Sequence, residues 1–426
     1  MHIVIIGIGI SGASVAKSLR EHSTAHITMV SSEHISFFSR PALMYVFMGK
    51  MRFKDILPLP ADFWNKHRIK IIQGHVKSVD TQKHQVLLEN GEMLDYDKLV
   101  LALGSHPKSL GLGEFSLSGV QGFYSLQDLQ VLQEKTDKIS HAAIIGGGLI
   151  GVELAEMFTF RGIPFSFWVR EKWFGSTFLP REEAEIVTKH LMDKKINIRF
   201  EKEMINVGSD EKGHVSWIES QSGEREKVDL VCVCTGVKPN VDWLKSSEIQ
   251  IKDGILVSKQ LQTNIPSIYA LGDCAEFIEP PKGRKSIETL WYTGKLMGEY
   301  LGKNMLTENP EDYDPGIFFN SATFFDLEYQ IYGHVPVSEE EMYPSVFWKH
   351  DKKNKSIRLV YEARSLEFKG CCVLGIRFRQ EVCEKWIREK WKISSVLSAL
   401  SEANFDSEFS KRYEAQLLDR FKNSTL

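Results

Sequence analysis

Two stretches of this chain carry the same pattern, and that duplication restricts the possible folds more than any other feature. HIVIIGIGISGASVAKSL places Gly7-x-Gly9-x-x-Gly12 where a β-branched strand gives way to a helix, and HAAIIGGGLIGVELAEMF places Gly146-x-Gly148-x-x-Gly151 in the same position. The first glycine of such a loop permits the tight turn, the second lets a pyrophosphate approach the backbone, and the third allows close helix–strand packing. The helix N-terminus then faces the phosphate charge. A further strand, AHITMV, follows the first loop with Glu33 just beyond its end, where a carboxylate suits ribose hydroxyls. PFSFWV follows the second loop at the matching distance. Two units about 140 residues apart imply two bound dinucleotides, and the natural use of two is to move electrons between them.

The second strand ends Val169-Arg170-Glu171-Lys172. An acid such as Glu171 favours the free 2′-hydroxyl of NADH, whereas Arg suits the 2′-phosphate of NADPH. Both residue types are present, so the sequence leaves this choice open.

A chain of 426 residues is long enough for two or three domains, and its net charge of −3 argues against a nucleic-acid binder, which would normally show a basic stripe. MHIVIIGIGISG is too short and glycine-broken to span a membrane and lacks a signal peptide's basic start. The apolar run around the second loop contains Glu153 and Glu156. No membrane span and a cytoplasmic location are therefore expected. The six cysteines show neither CxxC nor metal-ligand spacing, and Cys232 and Cys234 alternate onto one face of an apolar strand. Reduced structural thiols and no metal centre are expected.

Three more motifs bear on the class. SIYALGDCAEF reads as a strand ending in Gly-Asp with a helix start after it, which makes Asp273 an N-cap that also suits a polyol chain. VCTGVKPN and LALGSHP, the latter containing Gly104, each run from a strand into Gly-x-x-Pro. KIIQGHVKSVDTQKHQVLLENGEMLDYDKLVLALGS reads as a β-meander with turns at DTQ and ENG. From about Tyr313, short strands containing Phe318, Phe319, Phe324, Phe325 and Trp348 lead into a helical run, CEKWIREKWKISSVLSALSEA, with Trp386 and Trp391. This suits a small α+β module, with its aromatics in a core or at an interface. The tail EANFDSEFSKRYEAQLLDRFKNSTL reads as a polar amphipathic helix.

In this order, the glycine loops, crossings and Gly-Asp motif resemble those of the pyridine nucleotide–disulfide oxidoreductases, over roughly residues 1 to 305. The resemblance implies an α/β fold with two Rossmann-like domains, the first split in sequence, and a small C-terminal α+β domain. It places FAD on residues 1–112 and 245–310, NAD(P)H on 113–244, and a possible homodimer interface on 311–426. On the FAD side it implies Gly7, Gly9, Gly12, Glu33, Arg40, Pro41, Gly104, Asp273 and Trp291, with helical spacing grouping Glu288, Trp291 and Lys295 on one face. On the NAD(P)H side it implies Gly146, Gly148, Gly151 and Glu171.

Disulfide reductases of that family carry a redox cysteine in the segment matching SFFSRPALMY, residues 36 to 45, and here none is present. A thiolate relay needs sulfur beside the flavin. The Arg40-Pro41 version resembles the branch that reduces ferredoxins, rubredoxins or nitrite-reductase partners. That branch carries a lysine where this chain has Tyr45, paired with the glutamate matching Glu153. Arg40 and Glu153 are thus the expected catalytic polar groups, and Arg40 is one expected partner of Glu153. The expected activity is transfer of hydride from NAD(P)H to FAD, then of electrons to a small carrier protein, quinone or oxygen. The alternative is an NAD(P)H-sensing flavoprotein whose reduction changes partner binding or dimerisation.

Overall fold

A computed structural model describes residues 1–406, 408, 413 and 415–418, and the chain divides into two compact units. The first comprises Met1–Leu110, Gln121–Lys138 and Thr235–Pro315. The second comprises Gly111–Val120, Ile139–Cys234 and Gly316–Leu426. Most of the C-terminal tail expected to be helical lies outside the described residues. Among the described residues, no helix is long and apolar enough to cross a membrane.

The first unit is built on a parallel sheet in the order Ile268–Ala270, Lys98–Leu101, His2–Ile6, His26–Ser31, Ile69–Gln73. Its strands are apolar on both faces because helices and loops cover both sides of a parallel sheet. Ile3, Val4, Ile5, Leu99, Val100, Leu101 and Ile268 have no solvent exposure. The meander forms as Val76–Asp80, Gln85–Leu88 and Met93–Asp95, all antiparallel. The two Gly-x-x-Pro crossings pair with each other, Val237 opposite Pro107 and Pro239 opposite Ser105. The segment Gln121–Lys138, which the sequence reading placed within 113–244, falls in this first unit.

The helix Trp291–Asn304 presents Gly294, Gly298 and Gly302, one per turn, to Ser11, Ser14 and Ser18 of the helix Ile10–His22. A Cβ at Gly298 would lie 2.6 Å from the Ser11 carbonyl oxygen and from Ser14 Cβ, and one at Gly302 would lie 2.5 Å from Ser18 Cβ. Only glycine permits this approach, and Ser18 Oγ uses it to donate to the Glu299 carbonyl at 2.9 Å.

The second unit repeats the parallel arrangement with Ile198–Phe200, Phe165–Val169, Ala142–Ile145 and Leu230–Val233 in that order. The same unit holds a five-stranded antiparallel sheet, ordered Phe319–Phe324, Leu327–Gly333, Phe368–Leu374, Ser356–Tyr361, Ser345–Lys349. Arg358 joins this sheet to the helix Arg181–Asp193, binding the fully buried Glu183 at 2.8 and 2.9 Å and Glu182 at 2.7 Å. Phe324, Trp348 and Trp386 are core residues. The expected helical run after residue 383 is in fact two helices, Gln380–Arg388 and Ile393–Ser398. Lys390 between them adopts φ +55°, and the Trp391 carbonyl accepts the Phe368 amide at 2.7 Å, so the chain leaves the helix to finish a strand.

Candidate functional site

In the first unit, the strand His2–Ile6 ends at Gly7, whose φ is +107° and whose amide donates to the Val30 carbonyl at 2.8 Å. A side chain there would meet the Ala102 carbonyl oxygen at 2.1 Å, and one at Gly12 would meet the Gly7 carbonyl at 2.0 Å. Gly9 is different: a Cβ there would have nothing within 4 Å. It caps the helix Ile10–His22 without a side-chain hydrogen bond, and no acidic residue stands in the first turn. The helix therefore turns uncapped amides and its positive end toward open space, which suits a diphosphate.

Asp273 stands beside the crossing that contains Gly104. Ser105 Oγ donates to Asp273 Oδ2 at 2.7 Å, and Tyr124 Oη donates to the same oxygen at 3.4 Å. Among the described residues Oδ1 has no protein donor, which leaves it for a hydroxyl of a bound polyol. Burial raises the Asp273 carboxyl above its ordinary range, opposed by the Ser105 hydrogen bond and by Arg40. The expected helix start is absent. Gly272–Cys274 is one 3-10 turn leading into the strand Ala275–Phe277, whose pairing with Ile255–Val257 draws the chain into extended form. Asp273 is thus a side-chain acceptor and not a helix cap.

Glu33 and Arg40 meet through two hydrogen bonds, Nη1 to Oε1 at 2.9 Å and Nη2 to Oε2 at 2.6 Å. The Leu126 amide also donates to Glu33 Oε1 at 2.8 Å, and Arg40 Nη1 donates to the Tyr124 carbonyl at 2.6 Å. The guanidinium lies 4.6 Å from the Tyr124 ring centroid and 5.3 Å from that of Phe38. Arg40 opens a 3-10 turn with Pro41 inside it, and Pro41 and Tyr45 are exposed. Within this unit Glu33 takes both terminal nitrogens of Arg40. Tyr124 thereby joins Arg40 to Asp273, a role that sequence reasoning missed. Its legible signal is the capping box after it: Ser125 Oγ accepts the Asp128 amide, and Asp128 Oδ2 accepts the amides of Tyr124 and Ser125.

Trp291 is the first residue of its helix and meets Tyr292 edge-on at 5.3 Å. Glu288 precedes that helix and does not share a face with Trp291 and Lys295. It is held instead by Arg284 at 2.6 Å and Thr293 at 3.0 Å, while Lys295 faces Glu299 at 3.6 Å. None of the six cysteines adjoins the 36–45 segment in sequence; all are buried and none forms a disulfide. Burial pushes the Cys274 thiol up to about 12, and it is tied to the carbonyls of Leu101 and Leu271.

In the second unit, Gly146 has φ +117° and a Cβ at Gly151 would lie 2.3 Å from the Gly146 carbonyl, repeating the first loop's contact. Gly148 caps the helix Leu149–Arg161, again without a side chain and with no acid in the first turn. Glu153 lies on that helix, and burial followed by the nearby Glu156 raises its carboxyl to about 7. Glu171 lies past the end of the strand Phe165–Val169 and holds Arg170 at 3.3 Å, so acid and base stand side by side.

Residues 1–297 match the family described as pyridine nucleotide-disulphide oxidoreductase. The chain belongs to that family. Among curated relatives of this family member, the assimilatory nitrate reductase electron transfer subunit of Bacillus subtilis is 30% identical over 303 residues, 70% of this chain. The match spans only 39% of that protein's own length. The NADH-rubredoxin oxidoreductase of Clostridium acetobutylicum is 30% identical over 313 residues, 72% of this chain and 75% of that one. A ferredoxin reductase from Rhodopseudomonas palustris shares the fold with TM-score 0.79 at 22% identity, over 88% of this oxidoreductase and 91% of its own chain.

Proposed function

We propose that this oxidoreductase takes hydride from NAD(P)H onto FAD and passes electrons from the flavin directly to an acceptor, with no disulfide between them. The acceptor is a small electron-carrier protein of the rubredoxin or ferredoxin kind, a quinone, or oxygen. The carrier-protein reading draws support from the named activities of the rubredoxin reductases among its relatives, and the oxygen reading from an NADH oxidase among them. One observation carries the direct route. Where a redox cysteine would be needed, the 36–45 segment supplies Arg40 bound to Glu33 and no thiol.

Bound FAD supplies two-electron uptake with one- or two-electron release. Every other part falls to the chain. Gly7, Gly9, Gly12 and the first-turn amides hold the FAD diphosphate, with Asp273 Oδ1 free to accept a hydroxyl and Gly104, Pro41 and Trp291 around it. Glu33 and Arg40 form one clamp on that side. Gly146, Gly148 and Gly151 hold the NAD(P)H diphosphate, and Glu171 contacts its ribose. Glu153 holds or releases a proton near neutrality while it orients the nicotinamide. In this reading 1–112 and 245–310 form the FAD domain, 113–244 the NAD(P)H domain, and 311–426 an interface domain that supports a homodimer. A cytoplasmic location goes with it, in keeping with six cysteines outside any disulfide.

The test is an anaerobic titration of the FAD-loaded protein with NADH and, separately, NADPH, followed at the flavin absorbance. Bleaching at one equivalent of one nucleotide is expected, with no thiolate-to-flavin charge-transfer band and no loss of turnover after thiol alkylation. A yellow protein that neither nucleotide reduces overturns the reading. A reduced form that no acceptor reoxidises, but whose oligomeric state changes, moves it to the sensing alternative.

A further inference from the structure

Within the second unit, the turn between the strands Ser345–Lys349 and Ser356–Tyr361 carries Lys352, Lys353 and Lys355 in four positions. The turn is held by its own groups. His350 Nδ1 accepts the amides of Lys352 at 3.0 Å and Lys353 at 3.2 Å, and the His350 amide donates to the Lys355 carbonyl at 3.0 Å. All three lysines line a cavity of about 470 Å³, with Lys189 and His190 of the helix Arg181–Asp193 on another wall.

The carboxylates of this cavity are already taken. Lys189 holds Asp193 at 2.5 Å, and Asp326 is held by Lys194 at 2.7 Å and His190 at 2.9 Å. Among the described residues no carboxylate lies within ion-pair distance of Lys352, Lys353 or Lys355. The Lys355 ammonium, 5.5 Å from the Tyr413 ring centroid, is lowered by burial and then by Lys353. His190 is over nine-tenths buried and lowered chiefly by burial, which makes it a polar floor without added charge. The helix's C-terminal end carries a partial negative charge of about half a unit that opposes an anion, and the three turn lysines outweigh it. The excess is local to this part of the chain. Residues 345–392 hold thirteen Lys or Arg and six Asp or Glu, in a protein whose net charge is −3.

Cations with no carboxylate partner among the described residues, arranged around a polar concavity, complement a compact polyanion. We propose that this cavity binds a small phosphorylated ligand with at least two phosphate charges, on residues belonging to neither glycine loop. Its volume is within the range of small-ligand pockets. Lysines act here as point charges, so the site reads charge number more than base or sugar.

The experiment is calorimetric titration of sodium tripolyphosphate into the FAD-loaded protein, with NAD⁺ and NADP⁺ saturating so that the nucleotide loop of the second unit is blocked. One site is expected, weakening as salt rises. The double variant K353Q/K355Q should bind at least tenfold more weakly, with its melting midpoint no lower than that of wild type. K212Q, at an exposed loop away from the cavity, should match wild type, and all three should reduce flavin with NADH at the same rate. No binding, or equal binding by K353Q/K355Q, overturns the proposal. Tighter binding of a decaglutamate peptide than of tripolyphosphate also overturns it, in favour of an acidic protein as the occupant.

Discussion

Arg40 and Glu33 form a two-pronged ion pair, at 2.6 and 2.9 Å, that ties the segment after the second strand to the strand's own exit. Both side chains are more than two-thirds buried. Replacing Arg40 with Met would leave Glu33 with the Leu126 amide as its remaining donor. A charged hydrogen bond of this kind contributes about 1.5–3 kcal/mol. R40M should lower the melting midpoint and release FAD on gel filtration, and R40K should restore little, because an ammonium cannot make both contacts. Flavin-to-protein absorbance ratios after desalting measure this directly.

Glu153 should give the protein a pH signature. Its carboxyl is raised to about 7 from an ordinary 4.5, so the folded chain holds this proton more tightly than the unfolded one. The contribution to stability is full below pH 4.5 and is lost as pH rises through 7, a difference on the order of 3 kcal/mol. E153Q should therefore match wild type at pH 4.5 and exceed it in urea midpoint at pH 8. In stopped-flow reduction by NAD(P)H, wild type should show an inflection near pH 7 that E153Q lacks.

The glycine stripe should be intolerant of a single methyl group. Alanine normally gains about 1 kcal/mol over glycine inside a helix. At Gly298 the added carbon would sit 2.6 Å from the Ser11 carbonyl oxygen and 3.1 Å from the Val15 amide nitrogen. G298A should lose about 1–3 kcal/mol net despite the better helix former, read from the urea midpoint.

Removing Arg358 should be costly for a different reason. Glu183 has no solvent exposure, and Arg358 supplies both of its ion-pair contacts. R358M should lose about 3–5 kcal/mol by leaving a buried charge unpaired, whereas R358M/E183L should recover most of it. Thermal denaturation of the three proteins decides this.

The sequence exposed what depends on local pattern. Both glycine loops, the flanking strands and the meander turns follow from alternation and glycine placement, and each forms where the pattern puts it. Pairings between distant segments were not legible in the same way. Nothing in VCTGVKPN or LALGSHP alone says that Val237 lies opposite Pro107, and nothing near Glu33 says that Arg40 will take it. Asp273 was read as a helix cap because Gly-Asp often precedes helices, and strand pairing at Ala275–Phe277 overrode that preference. The run around Lys390 reads as one helix, yet the Phe368 amide takes the Trp391 carbonyl and the helix breaks there. Tyr124 was missed because its role exists only once Arg40, Ser105 and Asp273 have been brought together.

The serine–glycine seam between the helices Ile10–His22 and Trp291–Asn304 also bears on how this protein is made. Ser18 and Glu299, joined across the seam, are 281 positions apart in the chain. At translation rates of about 5–20 residues per second, roughly 15–60 s separate their emergence from the ribosome. Throughout that interval the first helix, whose amide end Gly9 opens, lacks the partner it is shaped to receive, and the strand Lys98–Leu101 lacks its neighbour Ile268–Ala270. The nucleotide loop that is translated first is therefore completed only after the second loop has already been made.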